Sequence, residues 1–96
     1  MTEVKEILSK KLPLEIIFED CQSIYFKIRG LFEYEFGICR NLDGTYNGNC
    51  WDMFNTNMYE YNCACQGAPM GSCHAKPLDF VIDKIFKDAM RLLEEQ

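Results

Sequence analysis

The feature that most constrains this chain is a pair of alternating segments near its middle. Residues 24–29 set Ile24, Phe26 and Ile28 against Tyr25, Lys27 and Arg29, and residues 32–39 set Phe32, Tyr34, Phe36 and Ile38 against Glu33, Glu35, Gly37 and Cys39. A period of two is the pattern of a strand with one buried and one wet face. Folding the segments together at Gly30-Leu31-Phe32 puts Ile28 opposite Tyr34, Phe26 opposite Phe36 and Ile24 opposite Ile38. The same register sets Arg29 against Glu33 and Lys27 against Glu35, so apolar packing and charge pairing agree. A slip of one residue would bring Phe26 opposite Glu35 and lose both.

Neighbouring segments extend this sheet. Leu14, Ile16 and Phe18 alternate with Glu15, Ile17 and Glu19, and a turn at Asp20-Cys21-Gln22 returns the chain. Phe18 then faces Ile24, Ile16 faces Phe26 and Glu15 meets Lys27, although residues 14–19 also read as a continuation of a preceding helix. Downstream, Asp43-Gly44 is a two-residue hairpin signal, because such turns need positive φ. It sets Phe36 opposite Trp51 and Tyr34 opposite Met53; Asn47-Gly48 competes as the turn with the same side-chain parity. A last strand over 58–65 places Tyr59, Tyr61, Cys63 and Cys65 on one side.

Helical periodicity brackets the strands. Thr2 suits an N-cap, Val4, Ile7, Leu8 and Leu12 recur at helical spacing, and Pro13 stops the ladder, which predicts a helix over 3–12. A Gly/Pro loop over 66–77 ends at Pro77, a residue suited to a first helical turn. Beyond it Leu78, Val81, Ile82, Ile85, Phe86, Ala89, Leu92 and Leu93 draw a wide apolar stripe, with Asp83/Lys87 and Lys84/Asp88 at i,i+4 on the wet side, which predicts a helix over 78–95. The expected fold is α+β: an antiparallel β-meander of four to five strands with an N-terminal and a C-terminal helix packed on one face, forming a single domain over 1–96. The outer face is expected to carry Glu15, Glu19, Lys27, Arg29, Glu33, Glu35, Cys39, Cys50, Asp52 and Glu60.

Composition then narrows the function. The 96 residues carry 15 acidic and 10 basic side chains, a formal charge of −5 that argues against direct binding to a nucleic-acid backbone. The longest apolar runs, such as Leu14–Phe18, are too short to span a membrane. The opening residues contain no apolar signal segment and no Asn-x-Ser/Thr acceptor occurs, so the expected compartment is the cytoplasm, with the six cysteines reduced.

Catalytic chemistry finds little footing. Cys73 neighbours His74, but sequence neighbours in an extended loop point apart, and a thiol nucleophile needs a base close in space. Glu33 and Glu35 share a strand face but are offset by Arg29 and Lys27. Gly67 and Gly71 lack the Lys-Ser/Thr of a phosphate-binding loop. No catalytic residue is assigned and the chain reads as a non-enzyme. Cys63, Cys65, Cys73 and His74 supply four ligands for a tetrahedral zinc, yet Cys63-x-Cys65 is tighter than the usual knuckle, and Cys39 and Cys50 are expected on the other side of the sheet. A small structural zinc module is therefore the alternative reading, and zinc the one cofactor considered.

The leading reading is recognition. Tyr25, Tyr46, Phe54 and Ile17 fall on the nominally wet side of the sheet or its turns, and aromatics framed by carboxylates anchor and steer interfaces. Tyr25, Glu33, Glu35, Asp52 and Phe54 are the candidate contact residues for a larger protein partner, with a homodimer as the other way to cover the sheet. The expected function is a small acidic, cytoplasmic, non-catalytic protein that binds and inhibits or modulates such a partner, for example a nucleic-acid-handling complex. Small inhibitors carried by phages and mobile elements, anti-CRISPR proteins among them, are similar in size and charge, with no shared motif.

Overall fold

The computed structural model describes residues 1–60 and 77–95. Helix α1 (Thr2–Lys11) leads into strands β1 (Leu14–Glu19), β2 (Ser23–Ile28), β3 (Tyr34–Arg40), β4 (Tyr46–Asp52) and β5 (Asn57–Glu60), and helix α2 (Leu78–Glu94) follows. The strands form one antiparallel sheet in the order β1-β2-β3-β4-β5. The α+β arrangement expected from the sequence is the one observed. Helix α1 starts one residue earlier than expected, with Met1 in the cap position and no side-chain cap bond. It ends because Leu12, preceding Pro13, is extended at φ −139°, the conformation that proline imposes on the residue before it.

One core joins the two helices to one face of the sheet: Val4, Leu8 and Leu12 from α1, Val81, Ile82, Ile85, Ala89 and Leu92 from α2, and Ile24, Phe26, Ile28, Phe36, Ile38 and Cys50 from the strands. The β2–β3 register is the expected one, with Ile24 opposite Ile38 and Phe26 opposite Phe36. The latter pair stacks with ring centroids 5.6 Å apart. The charge half of that expectation changes. The ladder stops at Phe26, and Lys27 Nζ donates to the Phe32 carbonyl at 3.0 Å, leaving Glu35 without an ion-pair partner among the described residues. The intervening turn also differs: Leu31 is fully buried, whereas Phe32, expected on the apolar face, is 49% exposed.

Two register changes move side chains across the sheet. In β1, Ile16 pairs with Phe26 as expected, but a bulge between Ile16 and Phe18 sets Phe18 opposite Tyr25 and Glu19 opposite Ile24. An extra residue reverses side-chain parity beyond it. Phe18 therefore turns to the open face, and Glu19 turns inward to accept from Lys5 Nζ of α1 at 3.0 Å.

The β3–β4 hairpin shifts by one residue from the expected register. Arg40 pairs with Tyr46, Phe36 with Cys50 and Tyr34 with Asp52. Asn41 N donates to Thr45 O, so the loop between them has three residues, Leu42-Asp43-Gly44, and within it only Gly44 takes positive φ, at 86°. A two-residue turn of the expected kind would need both Asp43 and Gly44 there. Asp43 instead accepts from the Thr45 backbone N and hydroxyl. Because side chains alternate with period two, the shift turns over the whole strand. Cys50 and Asp52, expected outside, are buried, Tyr46 packs against the core, and Trp51 and Met53, expected inside, are 47% and 39% exposed.

Among the described residues no helix is long and apolar enough to cross a membrane. Among the described residues Cys21 and Cys39 are free thiols.

Candidate functional site: the open face of the sheet

Among the described residues the two helices cover one face of the sheet and nothing covers the other. Register assigns Glu15, Phe18, Tyr25, Lys27, Glu35, Gly37, Cys39, Asn49, Trp51 and Met58 to that open side. Phe18, Trp51 and Met58 remain about half exposed, at 49%, 47% and 58%. Ile17, at the β1 bulge, is also exposed, whereas Ile16, opposite Phe26, is exposed on the helix-covered side.

Gly37 shapes this surface. A Cβ there would lie 2.8 Å from Tyr25 Cε1 and 2.9 Å from Asn49 Oδ1, closer than carbon atoms pack, so only glycine lets the Tyr25 ring lie across β3. The ring is held in that position from two sides. The Phe18 ring lies 6.0 Å away at a 43° tilt, and the Tyr25 hydroxyl is 3.8 Å from Cys39 Sγ, which also accepts from Ser23 Oγ at 3.4 Å. The hydrogen bond to Cys39 is the main reason the Tyr25 phenol is raised above its usual pKa of 10.0, with smaller contributions from the charges of Asp20 and Glu35. The result is a shallow hollow of about 240 Å³ in the middle of the open face, lined by Tyr25, Glu35, Asn49, Trp51 and Met58.

Two further cavities among the described residues have linings whose charged groups are engaged in internal contacts. A groove of about 510 Å³ runs between α1 and α2 along Ile7, Lys11, Phe80 and Phe86. The chain's own cations cover its aromatic rings, Lys11 Nζ lying 5.4 Å over Phe86 and Lys84 Nζ 5.4 Å over Phe80. A polar cavity of about 250 Å³ lies where the β4–β5 turn meets the end of α2, lined by Tyr34, Cys50, Asp52, Asn55, Asp88, Arg91, Leu92 and Glu95. Arg91 bridges Asp88 and Glu95 there. Asp52 accepts from the Phe54 and Asn55 backbone N–H groups at 3.1 Å each and from Asn55 Nδ2 at 2.8 Å. The Asn55 bonds hold the carboxyl below its ordinary pKa.

The structure thus separates the candidate contact residues. Tyr25 and Glu35 share the hollow on the open face. Asp52, expected on the outer face, is only 4% exposed on the opposite side, where its carboxylate organises a turn. Phe54 is 85% exposed at the tip of that turn, and Glu33 is exposed in the β2–β3 turn. Sequence reasoning missed Trp51, Phe18 and Met58. Trp51 was discoverable, since a three-residue loop ending in glycine is the other reading of Asp43-Gly44. The candidate zinc ligands Cys63, Cys65, Cys73 and His74 lie outside the described residues. Among the described residues no group of three or more His, Cys, Asp or Glu side chains could hold a metal.

No protein-family model, curated protein or solved structure matches this chain.

Proposed function

We propose that this chain is a small, non-catalytic recognition protein that binds a larger protein through the open face of its sheet and modulates it. The observation that carries the reading is the half-exposed row of Phe18, Trp51 and Met58 around the Tyr25–Glu35 hollow. Large apolar side chains gathered on one face mark interaction surfaces, and aromatic residues and methionine are enriched at interface centres. The formal charge of −5 favours a partner with a basic surface, such as a nucleic-acid-handling protein, which the chain would inhibit by occupying that surface.

Affinity capture from the native host tests this. Wild-type chain and a Phe18→Ser/Trp51→Ser variant are immobilised side by side. The expected result is one protein retained by the wild type and lost from the variant, whose own activity falls when the wild-type chain is added. Capture that ignores both substitutions refutes the open face as the working surface.

A further inference from the structure

We infer that the hollow on the open face is a binding site for an arginine side chain presented by the protein partner. This rests on the recognition reading and specifies its chemistry. The hollow presents aromatic surface from Tyr25 and Trp51 and one carboxylate, Glu35. Aromatic faces attract cations through the ring quadrupole, tryptophan most strongly. Elsewhere the chain uses that attraction internally, with Lys11 over Phe86 and Lys84 over Phe80. Among the described residues no lysine or arginine lies over Tyr25 or Trp51, although Lys27 is on the same face. Lys27 is drawn instead to the Phe32 carbonyl at 3.0 Å, so Glu35, half-buried on β3, has no ion-pair partner among the described residues.

Arginine fits this arrangement better than lysine. A guanidinium is planar, so it stacks on a ring while its forked N–H donors meet a carboxylate, whereas an ammonium is a compact, strongly hydrated point charge. Asn49, beside Gly37, adds a side-chain amide that makes no hydrogen bond among the described residues and can accept a further N–H. A cavity of about 240 Å³ holds a guanidinium and part of its stem, with the Met58 side chain against the methylenes.

The single tryptophan provides the probe, because only Trp51 contributes an indole N–H signal. The ¹⁵N-labelled protein is titrated with a capped glycine–arginine–glycine peptide, and in parallel with its citrulline and lysine counterparts. Citrulline keeps the shape of arginine without its charge. The expected result is progressive shifts of the Trp51 indole and of the amides around Glu35 and Asn49, with the citrulline peptide at least about tenfold weaker and Glu35→Gln weakening arginine binding by about fivefold to tenfold. Equal binding of citrulline or lysine, or no shift at Trp51, overturns the inference using wild-type protein alone. So does unchanged affinity in Glu35→Gln with a native spectrum. A partner captured through Phe18 and Trp51 by a chain that ignores the arginine peptide removes the arginine site but leaves the recognition reading standing.

Discussion

The β2–β3 turn offers a stringent test of the packing, because two adjacent apolar residues have opposite fates there. Leu31 is fully buried in the core, while Phe32 is 49% exposed. Truncating a fully buried leucine forfeits its transfer free energy and leaves a cavity, together about 3 kcal/mol. For a chain of this length, about 1 kcal/mol shifts the melting temperature by about 4–8 °C, so Leu31→Ala should lower it by about 12–24 °C. Phe32 keeps about half of its surface in water when folded, so Phe32→Ala loses about half of a phenyl burial, near 1 kcal/mol, and no closed cavity forms. The two costs therefore stand at about three to one. Thermal melts by circular dichroism, with urea unfolding to obtain free energies at one temperature, read it directly. If Phe32→Ala proves the more damaging, then Phe32 occupies the core, as simple alternation along 32–39 suggests, and the turn geometry argued above is wrong.

Other consequences are readable in single experiments. Cys50→Ser places a hydroxyl opposite Phe36 in the core and should destabilise the fold by about 1–3 kcal/mol, whereas Cys39→Ser, on the open face, should cost less than about 1 kcal/mol; denaturant melts of the two should differ in that order. Asp52 is held ionised by the Asn55 and Phe54 donors, so its folded pKa lies below the unfolded value. Its stabilising contribution is present above the unfolded carboxylate range and is lost as pH falls through the folded pKa. Asp52→Asn should therefore lower the melting temperature at neutral pH, with the gap to wild type closing toward low pH; a gap that stays constant with pH would show that the Asp52 charge is irrelevant.

The part of the fold most visible in the sequence is the β2–β3 pair, where a sustained apolar period of two carries the register. In β2 and β3 the apolar alternation alone excluded a one-residue slip, and the structure keeps that register although Lys27 bonds elsewhere. The β3–β4 hairpin was misread because Asp43-Gly44 suits loops of two or three residues, which differ in side-chain parity. Hydrophobicity favoured burying Trp51 and Met53. The competing arrangement buries Asp52 instead, and this is tolerated because three donors from the following turn satisfy its carboxylate. No residue in β1 announces the bulge; a run of Ile16, Ile17 and Phe18 is equally apolar in either parity. The same two shifts decided the candidate site: they withdrew Asp52 and brought Phe18 and Trp51 to the side where Tyr25 and Glu35 already stood.

The strand order has a bearing on how the molecule assembles. Every described strand pairs with its neighbour in sequence, so each hairpin closes only a short loop at small entropic cost. Helix α2 is the exception: it begins at Leu78, beyond all five strands, yet it supplies Val81, Ile82, Ile85, Ala89 and Leu92 to the shared core. A chain emerging from the ribosome can therefore form its sheet early while α1 alone shields the apolar side. Helix α2 is made after these strands, and until it docks the core positions it covers are shielded, among the described residues, by α1 alone.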